Sequence, residues 1–195
     1  MTSTAALSAS GRSLRELVDA ADERGLAAAG LACLDRCLPL LAPDGGDALR
    51  PVWAAVARGD AGAWGEAVAK ARVELGAEAG AGTGEAAGAV REMLAQAPAD
   101  WTAEALRTWA AGCSARALAL HGGFDAAGVA DGLVERCLAG DAAGAGPLLA
   151  GELRRQHAVL EAAAHGPTGL RRARELSVEG GRVLRAVVSR RARTA

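Results

Sequence analysis

Apolar residues recur at helical spacing along most of the chain, and turn residues interrupt them at short intervals. The first pattern begins at Ser13, because Glu16 follows it at the spacing of a capping box while Leu14 and Leu17 start an apolar face. Further helical patterns cover about 26–38, 47–58, 60–75, 85–97, 102–121, a stretch beginning at 125, 141–164 and 168–190. The chain is therefore predicted to be all-α, either an antiparallel helical bundle or a short irregular helical array of about eight helices.

Alanine dominates the composition: 51 of the 195 residues are Ala, more than half of the hydrophobic fraction. Alanine is the strongest helix former but contributes little buried area. The core must then depend on scattered Leu and Val and on four Trp, with helices approaching closely through Ala and Gly. Ile, Asn and Tyr are absent, which disfavours sheets and indicates a very GC-rich genome, most simply that of an actinobacterium.

Two Gly-Asp pairs mark helix junctions at 59–60 and 140–141. A glycine suits the end of one helix and the following aspartate suits the start of the next, so both pairs predict a tight helical hairpin. The residues around the two pairs agree only in part, which leaves open either an internal repeat or two unrelated hairpins. Between them, the Ala-, Gly- and Glu-rich stretch 76–84 has almost no bulky side chain and predicts either a flexible interior segment or a weakly packed link.

The net charge of −1 conceals two halves of opposite sign. From residue 154 onward there are ten Arg against three Glu, a charge of +7, so residues 1–153 carry −8. We therefore divide the chain into an acidic, Ala- and Gly-rich helical body, residues 1–166, and a basic amphipathic C-terminal helix, residues 167–195, packed on the same single domain.

The last helix separates its apolar residues from its arginines. Leu, Val and Ala side chains occupy one broad sector of the helix, and five arginines occupy an adjacent sector about 100° wide. These five residues, here called the arginine surface, are Arg171, Arg174, Arg182, Arg185 and Arg193. Guanidinium groups bind carboxylate and phosphate oxygens, so this surface is predicted to contact an acidic partner or a polyanion. Alternatively, the arginines are solvated or paired with carboxylates of the acidic body.

The four tryptophans are the largest side chains available to the core. Trp53, Trp64, Trp101 and Trp109 either anchor their own helices or line an apolar pocket for a small molecule. The first role is the ordinary one for tryptophan in a helical protein. The second is an alternative function for the whole chain.

Cysteine chemistry offers a further alternative. Cys33 and Cys37 are four residues apart on one helical face, where two thiolates could join Cys113, Cys137 or a histidine. The Cys-x-x-Cys spacing of structural zinc sites is absent, however, and free buried thiols are the simpler state. No metal or cofactor is therefore predicted, and no nucleophile elbow or phosphate-binding loop indicates an enzyme.

The compartment is predicted from absences and from the cysteines. Residues 1–13 lack the basic and apolar regions of a signal peptide, and no apolar run is long enough to span a bilayer. Four cysteines in a chain of this size suit a reducing environment. We therefore expect a cytoplasmic protein without a membrane span.

Taken together, these features favour a non-enzymatic interaction or regulatory protein that uses the arginine surface to contact an acidic protein partner or polyanion. A homo-oligomer is compatible with the same features. The alternatives are a small-molecule-binding protein with a Trp-lined pocket and a thiol- or metal-dependent enzyme.

Overall fold

The computed structural model describes residues 11–43, 47–77 and 84–194. Within these ranges the chain forms nine α-helices, one short 3₁₀-helix and no strand, which confirms the all-α prediction. The elements are α1 (Leu14–Ala20), α2 (Glu23–Cys37), η1 (Leu38–Leu40), α3 (Arg50–Arg58), α4 (Ala61–Ala77), α5 (Glu85–Ala95), α6 (Ala103–Gly122), α7 (Leu133–Leu138), α8 (Pro147–Ala163) and α9 (Gly166–Thr194). Of these described helices, none is both long enough and apolar enough to cross a membrane.

Helix α2 lies at the centre of the array. Twelve of its 15 residues are buried, and it packs on α6, α9 and α8. A helix buried on all sides needs small side chains where its neighbours cross it closely. Gly30 is such a position, because a Cβ added there would lie 2.6 Å from the ring of Trp109 on α6. The alanine-rich composition thus serves close helix contacts rather than a thick apolar core.

Local sequence signals fix several helix ends as predicted. Ser13 and Glu16 form the reciprocal hydrogen bonds of a capping box at the start of α1. Gly59 ends α3 in the left-handed conformation, with φ of 64°, and Asp60 accepts a 3.0 Å hydrogen bond from the amide of Ala63 in α4. These contacts join residues within one turn of each other, so the sequence alone predicts them.

Two other acidic residues do not start the helices predicted for them. Asp125 begins no helix; its buried carboxylate instead accepts hydrogen bonds from the amides of Leu148 and Leu149, at 2.9 and 3.1 Å, and so caps α8 from a distance. Asp141 lies in a turn, and α8 begins only at Pro147. The two Gly-Asp pairs therefore differ in structure, which removes the basis for a repeat.

The weakly packed link predicted at 76–84 falls mostly on residues 78–83, which lie outside the described ranges. The described residues on either side belong to α4 or immediately precede α5.

Helix α9 packs on α8 and α2, and its buried residues include a strip of small side chains beside Leu170 and Leu184. Ala173, Ser177, Gly180 and Gly181 are buried along this strip. A Cβ added at Gly180 would meet the side chain of Arg36, with its Cγ only 2.9 Å away. Glycine is required there for packing rather than for backbone freedom, because the backbone of α9 rests directly on an arginine stem.

The close contact between α9 and the Arg36 side chain can be tested by adding one methyl group. Gly180→Ala places a Cβ against the Arg36 side chain, which has no free space to move into, and should lower the free energy of unfolding by about 1 kcal/mol or more. The matched control is Gly88→Ala in α5, where no neighbouring atom lies within 4 Å and the gain in helix propensity should raise stability by up to about 1 kcal/mol. Equal effects in urea denaturation would contradict the close contact of α9.

Candidate functional site: an arginine surface and the buried ion pair beneath its helix

All five side chains of the arginine surface are exposed on the outer side of α9. Val178 lies among them, because Arg174 and Arg182 are each four residues away on the same helical face. The valine is 42% exposed and is one of the few large apolar side chains at the surface. The arginine surface is thus a cationic patch with an apolar centre.

The five guanidinium groups make no ion pair with the described carboxylates, although Glu175 is exposed on the same helix four residues from Arg171. Within the described ranges, none of the five guanidinium groups lies within 4.0 Å of a carboxylate oxygen. Arg172, which lies outside the arginine surface, does pair with Glu175 at 3.4 Å. The structure therefore matches the alternative in which these arginines are solvated, rather than the one in which they pair with carboxylates of the acidic body.

Asp35 is the carboxylate that α2 presents toward this region. It is half-buried and accepts a 2.9 Å hydrogen bond from the indole N–H of Trp53. Burial raises the pKa of Asp35. The hydrogen bond from Trp53 and the charges of Arg36 and Arg174 lower it, but by less than burial raises it. Asp35 is therefore hydrogen-bonded to the core, and its charge also acts on Arg174.

A shallow groove of about 210 Å³ runs between α9 and η1, next to the arginine surface. Its apolar lining comes from both elements and includes Leu38, Pro39, Ala42 and Val178. Arg182 and Arg185 border it on the α9 side, and Asp35 and Ser177 complete the lining. An occupant of this groove would meet apolar side chains and two guanidinium groups at once.

The inner face of α9 covers a fully buried ion pair between α2 and α8. The Nε of Arg36 donates to both carboxylate oxygens of Glu152, at 3.0 and 2.8 Å, and its Nη2 donates to Oε1 at 2.7 Å. Both side chains have zero exposure to solvent. A second bond runs from Nη2 to the sulfur of Cys33 at 3.4 Å, whereas Nη1 has no hydrogen-bond partner among the described residues.

Three further polar side chains extend this pair toward α6. Gln156 donates to Glu152 at 2.9 Å and to the carbonyl of Ser114 at 3.2 Å, and the Ser114 hydroxyl donates back to the Gln156 amide oxygen. His121 donates from Nδ1 to the carbonyl of Ala117, which leaves Nε2 3.6 Å from Glu152. The result is one buried polar network linking α2, α6 and α8.

The network keeps Glu152 ionised. Burial raises the pKa of this carboxyl, but the charges of Arg36 and His121 and the bonds from Arg36 and Gln156 lower it more, so the pKa lies below its ordinary value. The folded pKa is thus lower than the unfolded value of about 4.3. The stability that the carboxylate contributes is present above the unfolded pKa and is lost as the pH falls through the folded one.

Sequence reasoning missed this network, although one signal was available. Arg36 is charged but lies in an otherwise apolar run from Leu26 to Leu41, interrupted only by Asp35 and itself. Glu152 similarly lies between the apolar positions Leu149 and Leu153. A charged residue of each sign on an apolar helix face indicates a buried pair, but nothing in the sequence says that these two meet.

The tryptophans predicted as pocket candidates form core packing. Trp64 contacts Trp101 and Trp109 edge to face, with ring centroids 5.4 and 5.6 Å away. The indole N–H groups of Trp53, Trp64 and Trp109 donate to Asp35, to the carbonyl of Pro98 and to the carbonyl of Met93 respectively. Three of the four rings therefore pack on one another, and the geometry favours anchoring over a shared ligand pocket.

All four cysteines are free and buried. Burial raises the pKa of Cys33 to about 12, although the charge of Arg36 acts to lower it. Burial also raises the pKa values of Cys37 and Cys113 well above the ordinary value, and it raises the pKa of Cys137. Protonated thiols are poor nucleophiles and poor metal ligands. In the described ranges, no group of three or more His, Cys, Asp or Glu side chains is placed to hold a metal ion. The alternative of a thiol- or metal-dependent enzyme gains no support here.

A double-mutant cycle tests the ion pair. Glu152→Leu leaves the Arg36 charge buried without its partner and should lower the free energy of unfolding by about 3–5 kcal/mol. The double variant Arg36→Met, Glu152→Leu removes both charges and should lose less than Glu152→Leu alone. Urea denaturation of the wild type, the two single variants and the double variant measures the coupling, and purely additive losses would contradict a direct pair.

The thiols provide a second test. In the native protein at mildly alkaline pH, all four cysteines should react with Ellman's reagent much more slowly than in concentrated guanidinium chloride, because they are buried and protonated. Absorbance of the released thionitrobenzoate follows the reaction. A fast native reaction of Cys33, located by mass spectrometry, would overturn the assignment of an inert thiol.

Comparison with known proteins gives no assignment. The chain matches no protein-family model, no curated protein and no solved structure. What this protein does must be inferred from its own side chains and their placement.

Proposed function

We propose that this protein is a non-enzymatic helical interaction protein whose arginine surface holds an acidic segment of a partner protein. The observation that carries the proposal is the cluster of five exposed guanidinium groups on one face of α9, without an ion pair to the described carboxylates. Exposed arginines of one sign attract carboxylates and orient them through bidentate hydrogen bonds. The acidic body, in contrast, repels such a partner, so binding is confined to α9.

The apolar centre of the surface favours an acidic protein segment over a nucleic acid. Val178 and the groove lined by Leu38, Pro39 and Ala42 lie beside Arg182 and Arg185. An amphipathic acidic helix matches this pattern, because its apolar residues fill the groove while its carboxylates meet the arginines. Nucleic acids would use only the charges, since the arginine surface contains no aromatic side chain for base stacking.

The helix that carries the arginine surface is packed against the body. Helix α9 rests on α2 and α8, with Ala173, Ser177 and Gly180 buried, so the backbone positions of the five arginines are set by the helix. A preorganised surface loses less conformational entropy when a partner binds. We place the protein in the cytoplasm, where its four free, buried cysteines suit a reducing environment.

A peptide titration tests the proposal. The probe is a fluorescent acidic peptide with Leu at helical spacing, compared with a peptide of equal charge in which every Leu is replaced by Ala. We expect the Leu peptide to bind more tightly, and its affinity to fall as salt is raised, because exposed charge pairs are screened. Replacing Arg171, Arg174, Arg182 and Arg185 by Gln should weaken binding about tenfold or more.

A charge-matched control separates a site from general electrostatics. Arg50, Arg58, Arg136 and Arg154 are also exposed and lie outside α9, so changing these four to Gln alters the net charge equally. The control should bind the Leu peptide as the wild type does, whereas Val178→Ser should remove the preference for Leu over Ala. Equal losses in the two Gln variants would overturn the proposal, as would heparin or duplex DNA binding α9 more tightly than the peptide.

A further inference from the structure

A second cavity lies on a different part of the molecule, between α1, α6 and α7. It has a volume of about 310 Å³, at the lower end of the range for small-molecule sites. Its apolar lining consists of Leu14, Val18, Ala111 and Leu138. The tryptophans take no part in it, so it is not the pocket that the sequence suggested.

Arg107 on α6 lines this cavity and is half-buried. Within the described ranges its guanidinium group has no hydrogen bond and no ion pair. Its nitrogens are not among the buried unpartnered atoms of the described residues, so the guanidinium group stays in contact with solvent. A carboxylate could therefore replace water at these donors beside the apolar lining of the cavity.

The other polar groups of the cavity define the charge that fits it. Arg15 and Asp19 lie at the exposed edge on α1, one helical turn apart, and with Arg107 they give a net charge of +1. Ser114 lies at the buried side, but its hydroxyl hydrogen is already donated to Gln156. The donors left for a ligand are the two guanidinium groups, which select an anion.

We propose that this cavity binds a short-chain monocarboxylate. The carboxylate would accept hydrogen bonds from the Arg107 guanidinium group, and Arg15 would add positive charge at the edge of the cavity. The alkyl chain would lie against Leu14, Val18 and Leu138. This placement uses the one half-buried cation of the cavity and covers apolar surface at the same time. It is independent of the arginine surface, which lies on α9.

Three probes of matched structure test the two parts of the site. Hexanoate carries both the charge and the chain, acetate carries only the charge, and hexanol carries only the chain. We expect saturable binding of hexanoate by titration calorimetry, with a rise in the melting temperature, and at least about tenfold weaker binding of the other two. Equal binding of hexanol and hexanoate would overturn the role of the arginine.

Single-residue variants test whether hexanoate binds in this cavity. Arg107→Gln should weaken hexanoate binding about tenfold or more, and Ala111→Phe should abolish it by filling the cavity from an exposed position. Arg116→Gln, on the same helix but outside this cavity, is the matched control and should bind as the wild type does.

Backbone amide chemical shifts in the NMR spectrum give a readout that does not depend on stability. Hexanoate should perturb the amides around Leu14, Val18 and Leu138. Perturbations confined to α9, unchanged binding in Arg107→Gln, or no saturable binding of hexanoate to the wild type would each overturn the proposal.

Discussion

The buried ion pair between Arg36 and Glu152 constrains the rest of the structure. Removing two charges from water is costly, and close geometry with additional hydrogen bonds offsets that cost. Here three short hydrogen bonds join the pair, and Gln156 supplies another. These contacts fix α2 against α8, and the stem of Arg36 then provides the surface on which Gly180 rests.

Helix α9 connects this constraint to function. Its inner face combines the buried side chains of Leu170 and Leu184 with small residues that let its backbone approach α2 and α8 closely, and its outer face carries the arginine surface. The same helix therefore covers one buried arginine and displays eight exposed ones, among them the five of the arginine surface. The contrast follows from pairing: Arg36 has a carboxylate in the core, whereas the guanidinium groups of the arginine surface face solvent.

The alanine-rich composition explains both the tight contacts and the cavities. At Gly30 and Gly180 the absence of a side chain lets helix backbone rest on the ring of Trp109 and on the stem of Arg36. Between α1, α6 and α7, the small side chain of Ala111 lines the cavity. Trp64 and Trp109 fill the interior on another side, which is why the aromatic residues do not mark the cavity.

The sequence by itself predicted most of the helices and the contents of their faces, but not the starts of α7 and α8. Capping at Ser13 and Gly59 and the arginine sector of α9 depend on residues within a few turns of each other. Only the tertiary structure decided which faces meet. Arg36 and Glu152 are 116 positions apart, and Asp125 caps α8 from 23 positions away. Helical periodicity states which side of a helix is apolar, but the choice of partner depends on packing among many helices of similar composition. For that reason the buried network and the cavity at Arg107 came from the fold, while the arginine surface was already present in the sequence.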